Sequence, residues 1–410
     1  MKSQIVRRTV ATAALIGFAL ILSAFCRETS AQTGPATSAS AFKFAAAGNG
    51  VCVEKFLDKT ATSVVVPARV NGRPVVEIRD YAFQGCKALK KVALPASLKT
   101  IGEEAFQGCL SLESIELPQG LATVGKEAFQ QCKSLKKVKF PQGLKKIENR
   151  AFQGCASLSE IELPRGLTTL GPSAFAGCAS LSKVALPQGL REIEVYAFSG
   201  CKSLKEIVFP QGLQEIGPSV FSGCKSLKKI ELPQGLQKIG HEAFEDCESL
   251  SEVALPQGLA ALGSSAFSGC ASLSKVALPQ GLKKIEDYTF RNCKSLEEVE
   301  LPQGLQKIGG DAFENCESLT KVAFPQGLQE IEYGAFGGCH SLKGIELPEG
   351  LLTIGGWAFK NCKSLKTATL PGSVVELDRH SFSEETTLYV PTGSATETSV
   401  RDAGFSFETL

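Results

Sequence analysis

A cysteine recurs every 23 residues, at positions 86, 109, 132, 155, 178, 201, 224, 247, 270, 293, 316, 339 and 362. The residues between them repeat as well, and self-similarity at this period marks a stacked array rather than independent domains. The prior of two or three domains that a length of 410 residues would otherwise suggest is therefore set aside.

Written from its strand, each unit reads S-L-x-x-(V/I)-x-(L/F)-P-Q-G-L-x-x-I-(G/E)-x-x-A-F-x-x-C-x. One copy carries Leu227, Ile230, Leu232, Leu236, Ile239, Ala243, Phe244 and Cys247, and Phe221 and Cys224 hold the corresponding places one copy earlier. Alternation points Ile230 and Leu232 inward and Lys229 and Glu231 outward. Pro233 has no N–H and ends the ladder, and Gly235 is expected to supply a permissive turn backbone. The A-F-x-x-C part suits a short helical or 3₁₀ turn. One unit cannot bury these side chains alone, whereas stacked copies share a continuous core. The expected fold is a repeat solenoid: a right-handed coil with a parallel β-sheet on one face and short turns or 3₁₀ segments on the other. It should have about thirteen full turns rising roughly 5 Å each.

Two outward columns carry the imprint of stacking. Lys137, Glu160, Lys183, Glu206, Lys229, Glu252, Lys275, Glu298 and Lys321 alternate in sign over nine successive copies. Like charges directly opposite on paired strands are destabilising, so alternation is what a ladder requires. Glu148, Glu194, Glu286 and Glu332 replace the Gly that follows the inward Ile, and never in adjacent copies.

Many cysteines in an exported chain invite a disulfide framework, but thirteen is odd. Parallel side chains in a stack would also hold Cβ atoms wider apart than a disulfide needs. A metal site would need clustered ligands such as C-x-x-C, and none occurs. The thiols read as small buried hydrophobes. Serine precedes the strand Leu in twelve of thirteen copies, Ala88 being the exception, and a ladder of hydroxyls on neighbouring backbone is expected there.

Lys2, Arg7 and Arg8 precede the apolar run "ATAALIGFALILSAF", the pattern of a signal peptide over residues 1–31 cleaved after Ala31. Lipidation of Cys26 is the rival reading, and Ser23 and Phe25 fit a lipoprotein box poorly. Residues 32–50 read as a linker or N-terminal segment, 51–81 as a capping unit, 82–382 as thirteen repeats and 383–410 as a C-terminal cap. A formal net charge of +2 carries no basic footprint for nucleic acid.

The repeat resembles the BspA-like leucine-rich repeats, in which L-P-x-x-L-x-x-I-x-x-x-A-F-x-x-C-x-x-L recurs. The resemblance runs from Val64 to about Leu388. It departs from the commoner leucine-rich repeat, whose N-x-L is replaced here by "PQGL". "SVVVPARVNGRPVVEIRDYAF" looks like the family's opening unit, with an N-G turn inserted, and "TLYVPTGSATETSVRDAGF" like its closing cap. The resemblance implies a secreted or surface-exposed bacterial protein that binds extracellular or surface proteins. It further implies adhesion to matrix or plasma proteins such as fibronectin and fibrinogen, or coaggregation between microbes.

Tyr196, Tyr288, Tyr333 and Trp357 fall just before the A-F pair and are the candidate protein-binding residues, since Tyr and Trp are enriched in interface hot spots. A basic cluster (Lys136, Lys137, Lys139) and an acidic one (Glu297, Glu298, Glu300) on the strand face read as a solvated surface. His241, His340 and His380 read as ordinary surface residues. No acid pair, triad or metal cluster stands out, so an enzyme is not expected, nor a cofactor, nor a membrane span after signal cleavage. The alternative to a binding module is a scaffolding protein of the envelope that associates only with itself; the binding module is expected to be monomeric.

Overall fold

The computed structural model describes residues 36–410, and the expected signal peptide and Cys26 lie outside them. Thr37–Leu410 form one unit, a parallel β-solenoid of about 16 turns with a repeat of about 23 residues. The count exceeds thirteen because less regular sequence at both ends also winds into rungs, among them Ser63–Val65, Thr387–Val390 and Phe407–Thr409.

Nearly every coil contributes two strands, not one; the coil of Lys229 joins the first ladder by a single bridge to Glu252. The first ladder is the expected one, for example Lys137–Lys139, Glu160–Ile161, Lys183–Ala185 and Glu206–Val208. The second corrects the expectation of a sheet on one face only. Leu236 N–H donates to Pro233 O at 3.1 Å, which closes the P-Q-G-L turn and sends the chain onto a second face. There Lys238–Ile239 pairs in parallel with Glu215–Ile216 before it and Ala261–Leu262 after it. The third side is a run of chained turns, here called the ridge. Along it the N–H groups of Tyr196, Phe198 and Gly200 donate to Pro218 O, Val220 O and Ser222 O of the next coil at 3.0, 3.0 and 2.7 Å.

The core is a column of rings. Phe56 and Phe83 begin a stack that continues through every A-F phenylalanine to Phe382, with centroids 4.8 to 5.8 Å apart. Such offset-stacked pairs contribute about 0.5–1.5 kcal/mol each beyond their buried area. Tilted or edge-on rings close the column, Phe42 against Phe56 and Phe83 at one end and Phe405 against Phe382 at the other. Phe221, Cys224, Leu227, Ile230, Leu232, Leu236, Ile239 and Phe244 are all buried.

The thiols lie beside the rings, buried and free. Each from Cys109 to Cys362 donates its S–H to the carbonyl of the Phe in the coil before, as Cys224 does to Phe198 O at 3.3 Å. The same carbonyl accepts the N–H of its own coil's cysteine, Cys201 N to Phe198 O at 3.2 Å, so both lone pairs are used. Burial pushes the Cys224 thiol up to about 12.

Two other expectations are corrected. The serines before the strand Leu form no hydroxyl ladder; their backbone N–H groups reach the coil before instead, Ser226 N to Lys202 O at 3.2 Å. Gly235 does not take a left-handed conformation, and a Cβ there would meet nothing nearer than Gln211 O at 3.7 Å. The glycine with a steric reason is the one after the inward Ile. A Cβ on Gly171 would stand 2.7 Å from Asn149 N and 2.9 Å from Glu148 C in the coil before. That contact is with backbone, and it recurs where the coil before also carries glycine, as at Gly240 against Gly217 C at 2.7 Å, so the close approach of the two backbones favours glycine whatever stands in the neighbouring coil. Glu194 is the least comfortable of the four, its pKa raised by burial and then by Glu192.

The sign alternation is realised in register. Lys137 pairs with Glu160, Glu160 with Lys183, Lys183 with Glu206, and Lys275 with Glu252 and Glu298. Lys183 Nζ closes to 2.9 Å on Glu206.

The ends are built differently. Within residues 32–50, expected as a linker or N-terminal segment, β1 (Phe42–Ala47) begins an antiparallel hairpin with β2 (Gly50–Phe56). Phe42, Val51, Val53 and Phe56 of that hairpin cover the first coil's core. The inserted N-G turn is a tight hairpin, with Asn71 and Gly72 at φ 50° and 77° joining Arg69–Val70 to Arg73–Ile78. At the other end lies helix α1 (Ala395–Asp402), which the sequence reading did not anticipate. Its N-cap Ser394 accepts from Glu397 N, and buried Thr396 bonds Val374 N at 2.9 Å.

Four outcomes are expected. The thiols from Cys109 to Cys339 stay unlabelled in native protein and react together on denaturation. Cys224→Ser loses about 1–3 kcal/mol in a denaturant titration, because its shorter C–O bond draws a buried hydroxyl away from Phe198 O. Gly171→Ala loses about 1–3 kcal/mol through overpacking, whereas Gly235→Ala is neutral or gains about 0.4–1 kcal/mol. Glu194→Gln stabilises at neutral pH, where the native carboxylate is penalised. That advantage shrinks as pH falls through the raised pKa, since protonation relieves the wild type, and urea midpoints at neutral and acid pH read it out.

Candidate protein-binding ridge

The residue before the A-F pair takes a left-handed backbone in every copy, with φ of 52° to 64° from Tyr81 to Trp357. Twelve of the thirteen occupants are not glycine: Tyr81, Glu104, Glu127, Arg150, Ser173, Tyr196, Ser219, Glu242, Ser265, Tyr288, Asp311 and Trp357. This conformation costs an ordinary side chain about 1–2 kcal/mol. The N–H bond to the next coil (Tyr196 N to Pro218 O) fixes it, and the left-handed turn throws the side chain outward. The column carries seven kinds of residue, and most of its side chains face solvent, Glu127, Ser173 and Ser219 being the buried ones.

A second left-handed residue precedes each cysteine, but there the sequence shows it, with Gly200, Gly223, Asn292, Asn315 and Asn361 in that place.

Tyr196, Tyr288, Tyr333 and Trp357 are 39 to 55% exposed on this ridge. Tyr81 is equally exposed on it and escaped the sequence reading, although it stands directly before Ala82 and Phe83. Of five tyrosines and one tryptophan in the chain, four tyrosines and the tryptophan stand on the ridge. Tyr333 is one residue earlier in the repeat than the others, in register with Gly310 and Gly356. Its position lets its ring reach the next coil, where it stacks on Trp357 with centroids 6.3 Å apart and planes at 29°. Tyr288 is covered by its own neighbour, Arg291 Cζ lying 5.4 Å from the ring centroid, and Arg291 Nε donates to Glu314. Tyr288, Tyr333 and Trp357 thus share one end of the ridge. Tyr196, four coils from Tyr288, is not brought to them.

Between Tyr288 and Trp357 the ridge is notched. The coil Tyr333–Cys339 reads Y-G-A-F-G-G-C, so its three ridge positions are Gly334, Gly337 and Gly338. A depression of about 480 Å³ opens there, with Asp311, Glu314 and Asn315 on one side and Trp357, Lys360 and Asn361 on the other. Asp311 Oδ1 and Asn315 Oδ1 lean over the floor, into the places that side chains at 334 and 338 would take. Burial, then Glu314, raises the pKa of Asp311, and Arg291 opposes this. His340, expected as an ordinary surface residue, also lines the depression. His241 bonds Ser264 through Nδ1 at 2.8 Å.

The strand-face clusters are interleaved with opposite charge. Lys139 Nζ lies 2.6 Å from Glu116, and the coils carrying Glu298 and Lys321 alternate as the ladder demands. Among the described residues no three His, Cys, Asp or Glu converge as metal ligands, and no helix is long and apolar enough to cross a membrane.

Coils of 23 residues, stacked in parallel through the strand and the turn, define a leucine-rich-repeat solenoid, a fold that typically serves as a non-enzymatic protein-interaction scaffold. The model of the BspA type leucine rich repeat region matches residues 55–182, 168–294 and 261–389, and the chain belongs to that family. Among solved structures, a leucine-rich repeat protein from Bacteroides ovatus is 32% identical with a TM-score of 0.70, over 85% of this chain and 97% of its own. A leucine rich cell surface protein from Faecalibacterium prausnitzii is 22% identical with a TM-score of 0.51, over 92% and 99%. A leucine-rich repeat protein from Eubacterium ventriosum is 20% identical with a TM-score of 0.50, over 77% and 91%. Among curated proteins none matches.

Proposed function

We propose that this chain is exported and displayed at a bacterial surface, where it binds an extracellular protein through the C-terminal part of its ridge. Adhesion to matrix or plasma proteins such as fibronectin and fibrinogen, or coaggregation, is the activity that family membership supports. The observation that carries the location is the aromatic bias. Nearly all the chain's Tyr and its single Trp stand exposed on one narrow ridge, while the charges of the column from Lys137 to Lys321 meet opposite charges in register. Exposed aromatic rings lose little entropy on docking and bury large area, which is why they anchor interfaces. A stable interface needs about 800 Å² per partner, so contact must extend over several coils around Tyr288, Tyr333 and Trp357.

The test is capture from a mixture of extracellular proteins by the mature chain carrying both caps. Replacing Tyr288, Tyr333 and Trp357 together by Ala should abolish capture while leaving the circular dichroism and melting transition unchanged. Replacing Lys137, Lys139 and Lys183 should change it only slightly, and less at high salt. Full capture by the aromatic variant alongside loss in the lysine variant would move the site to the strand face.

A further inference from the structure

We propose that the notch over Gly334, Gly337 and Gly338 seats an arginine side chain of the protein partner, presented on an extended segment that crosses the ridge. The inference rests on the protein-binding reading above and adds the chemistry of what is recognised.

The notch is a ridge with one rung of side chains removed, so the groups beside each vacancy define what replaces it. At the vacancy of Gly334 the flanking groups are the Asp311 carboxylate and the Trp357 ring, itself stacked on Tyr333. A carboxylate against an aromatic face selects a cation that is planar, donor-rich and weakly hydrated, which is a guanidinium before an ammonium. At the vacancy of Gly338 the flanking groups are Asn315 and Asn361. Where this column is unbroken, Asn315 Nδ2 donates to Asn292 Oδ1 at 3.1 Å, so a peptide amide of the guest can take the missing place between amides. Lys360 and Lys363 line the far wall and suit an acidic neighbour of the arginine.

Other ligands fit less well. Arg291, Lys360 and Lys363 also line the notch, but an anion seated over Gly334 would meet the Asp311 carboxylate and no free backbone N–H, since Gly334 N, Gly337 N and Gly338 N donate to Gly356 O, Gly334 O and Lys360 O at 2.9, 2.8 and 2.8 Å. A purely apolar guest would bury Asp311 without a partner. The chain itself shows the preferred arrangement two coils earlier, where Arg291 lies over Tyr288 and donates to Glu314 of the following coil. The guest arginine would repeat that contact across a molecular boundary.

Trp357 is the chain's only tryptophan, so its indole N–H gives a single reporter signal at the site. Blocked arginine (N-acetyl, N-methylamide) is titrated into isotopically labelled protein, against blocked citrulline, lysine and glutamate and against glucose. Arginine should shift the indole signal saturably, with citrulline, its uncharged isostere, at least about tenfold weaker. Asp311→Ser, a residue that Ser173, Ser219 and Ser265 show the column tolerates, should weaken the response to the same extent. Gly337→Gln, which restores the side chain found at Gln130, should abolish it. No saturable shift at tens of millimolar, an undiminished shift in Asp311→Ser, or an equal response to glutamate or glucose would overturn the seat. Capture of an extracellular protein equally by wild type and Asp311→Ser, with the indole silent, rejects the arginine seat and leaves protein binding standing. A saturable indole response without any captured protein upholds the seat and counts against the wider reading.

Discussion

Everything in this molecule depends on the separation of one coil from the next. The phenylalanine stack sets it at 4.8 to 5.8 Å, which accommodates the spacing of hydrogen-bonded strands. Because the two distances agree, both strand ladders and the ridge can bond from coil to coil without strain in the core. The thiol beside each ring ties the same carbonyl that the turn uses, so ring, turn and neighbouring coil are fixed at one atom, as at Phe198 O. A serine in that place would be too short and a valine would have no donor. The strict recurrence of cysteine follows from this geometry.

The coil spacing also turns every position of the repeat into a column, and columns divide the surface into regions with different freedom. On the first strand face each side chain has a neighbour about 5 Å above and below, and the column from Lys137 to Lys321 alternates in sign accordingly, whereas the second ladder sets Glu192 beside Glu215 and Lys284 beside Lys307. On the ridge the left-handed backbone splays the side chain away from the stack. Exposed aromatic rings, Tyr196, Tyr288 and Trp357 among them, stand there, although polar members of the same column still bond from coil to coil, as Arg150 does to Glu127.

Much of this was legible in the residues. Phe221, Cys224 and Ile230 announced the core through period alone, the N-G pair announced the hairpin at Asn71, and sign alternation from Lys137 to Lys321 announced parallel register. Other features were hidden for physical reasons. The second ladder uses two-residue strands such as Lys238–Ile239, too short for alternation to show. The left-handed position before Ala197 or Ala243 is filled by Tyr or Glu, residues that do not signal it. Helix α1 is a single short element outside the repeat. The notch depends on three glycines that become neighbours of Asp311, Asn315 and Trp357 only when the coils are stacked. Tyr81 was overlooked because it belongs to the first copy, where the flanking sequence is least regular.

The alternation along the strand face has a further consequence, one of parity. Lys137 to Lys321 run plus, minus, plus over nine coils, and Glu148 and Glu194 stand apart by one glycine-bearing coil. If one coil is deleted from this stretch, its former neighbours meet, and they are alike: lysine on lysine, glutamate on glutamate. Deleting the coil of Gly171 would in addition set the like charges of Glu148 and Glu194 in adjacent coils. If two consecutive coils are lost or gained, the signs alternate across the join as before. Over these nine coils the charge pattern therefore repeats every 46 residues, two copies of 23, although the structural unit is one.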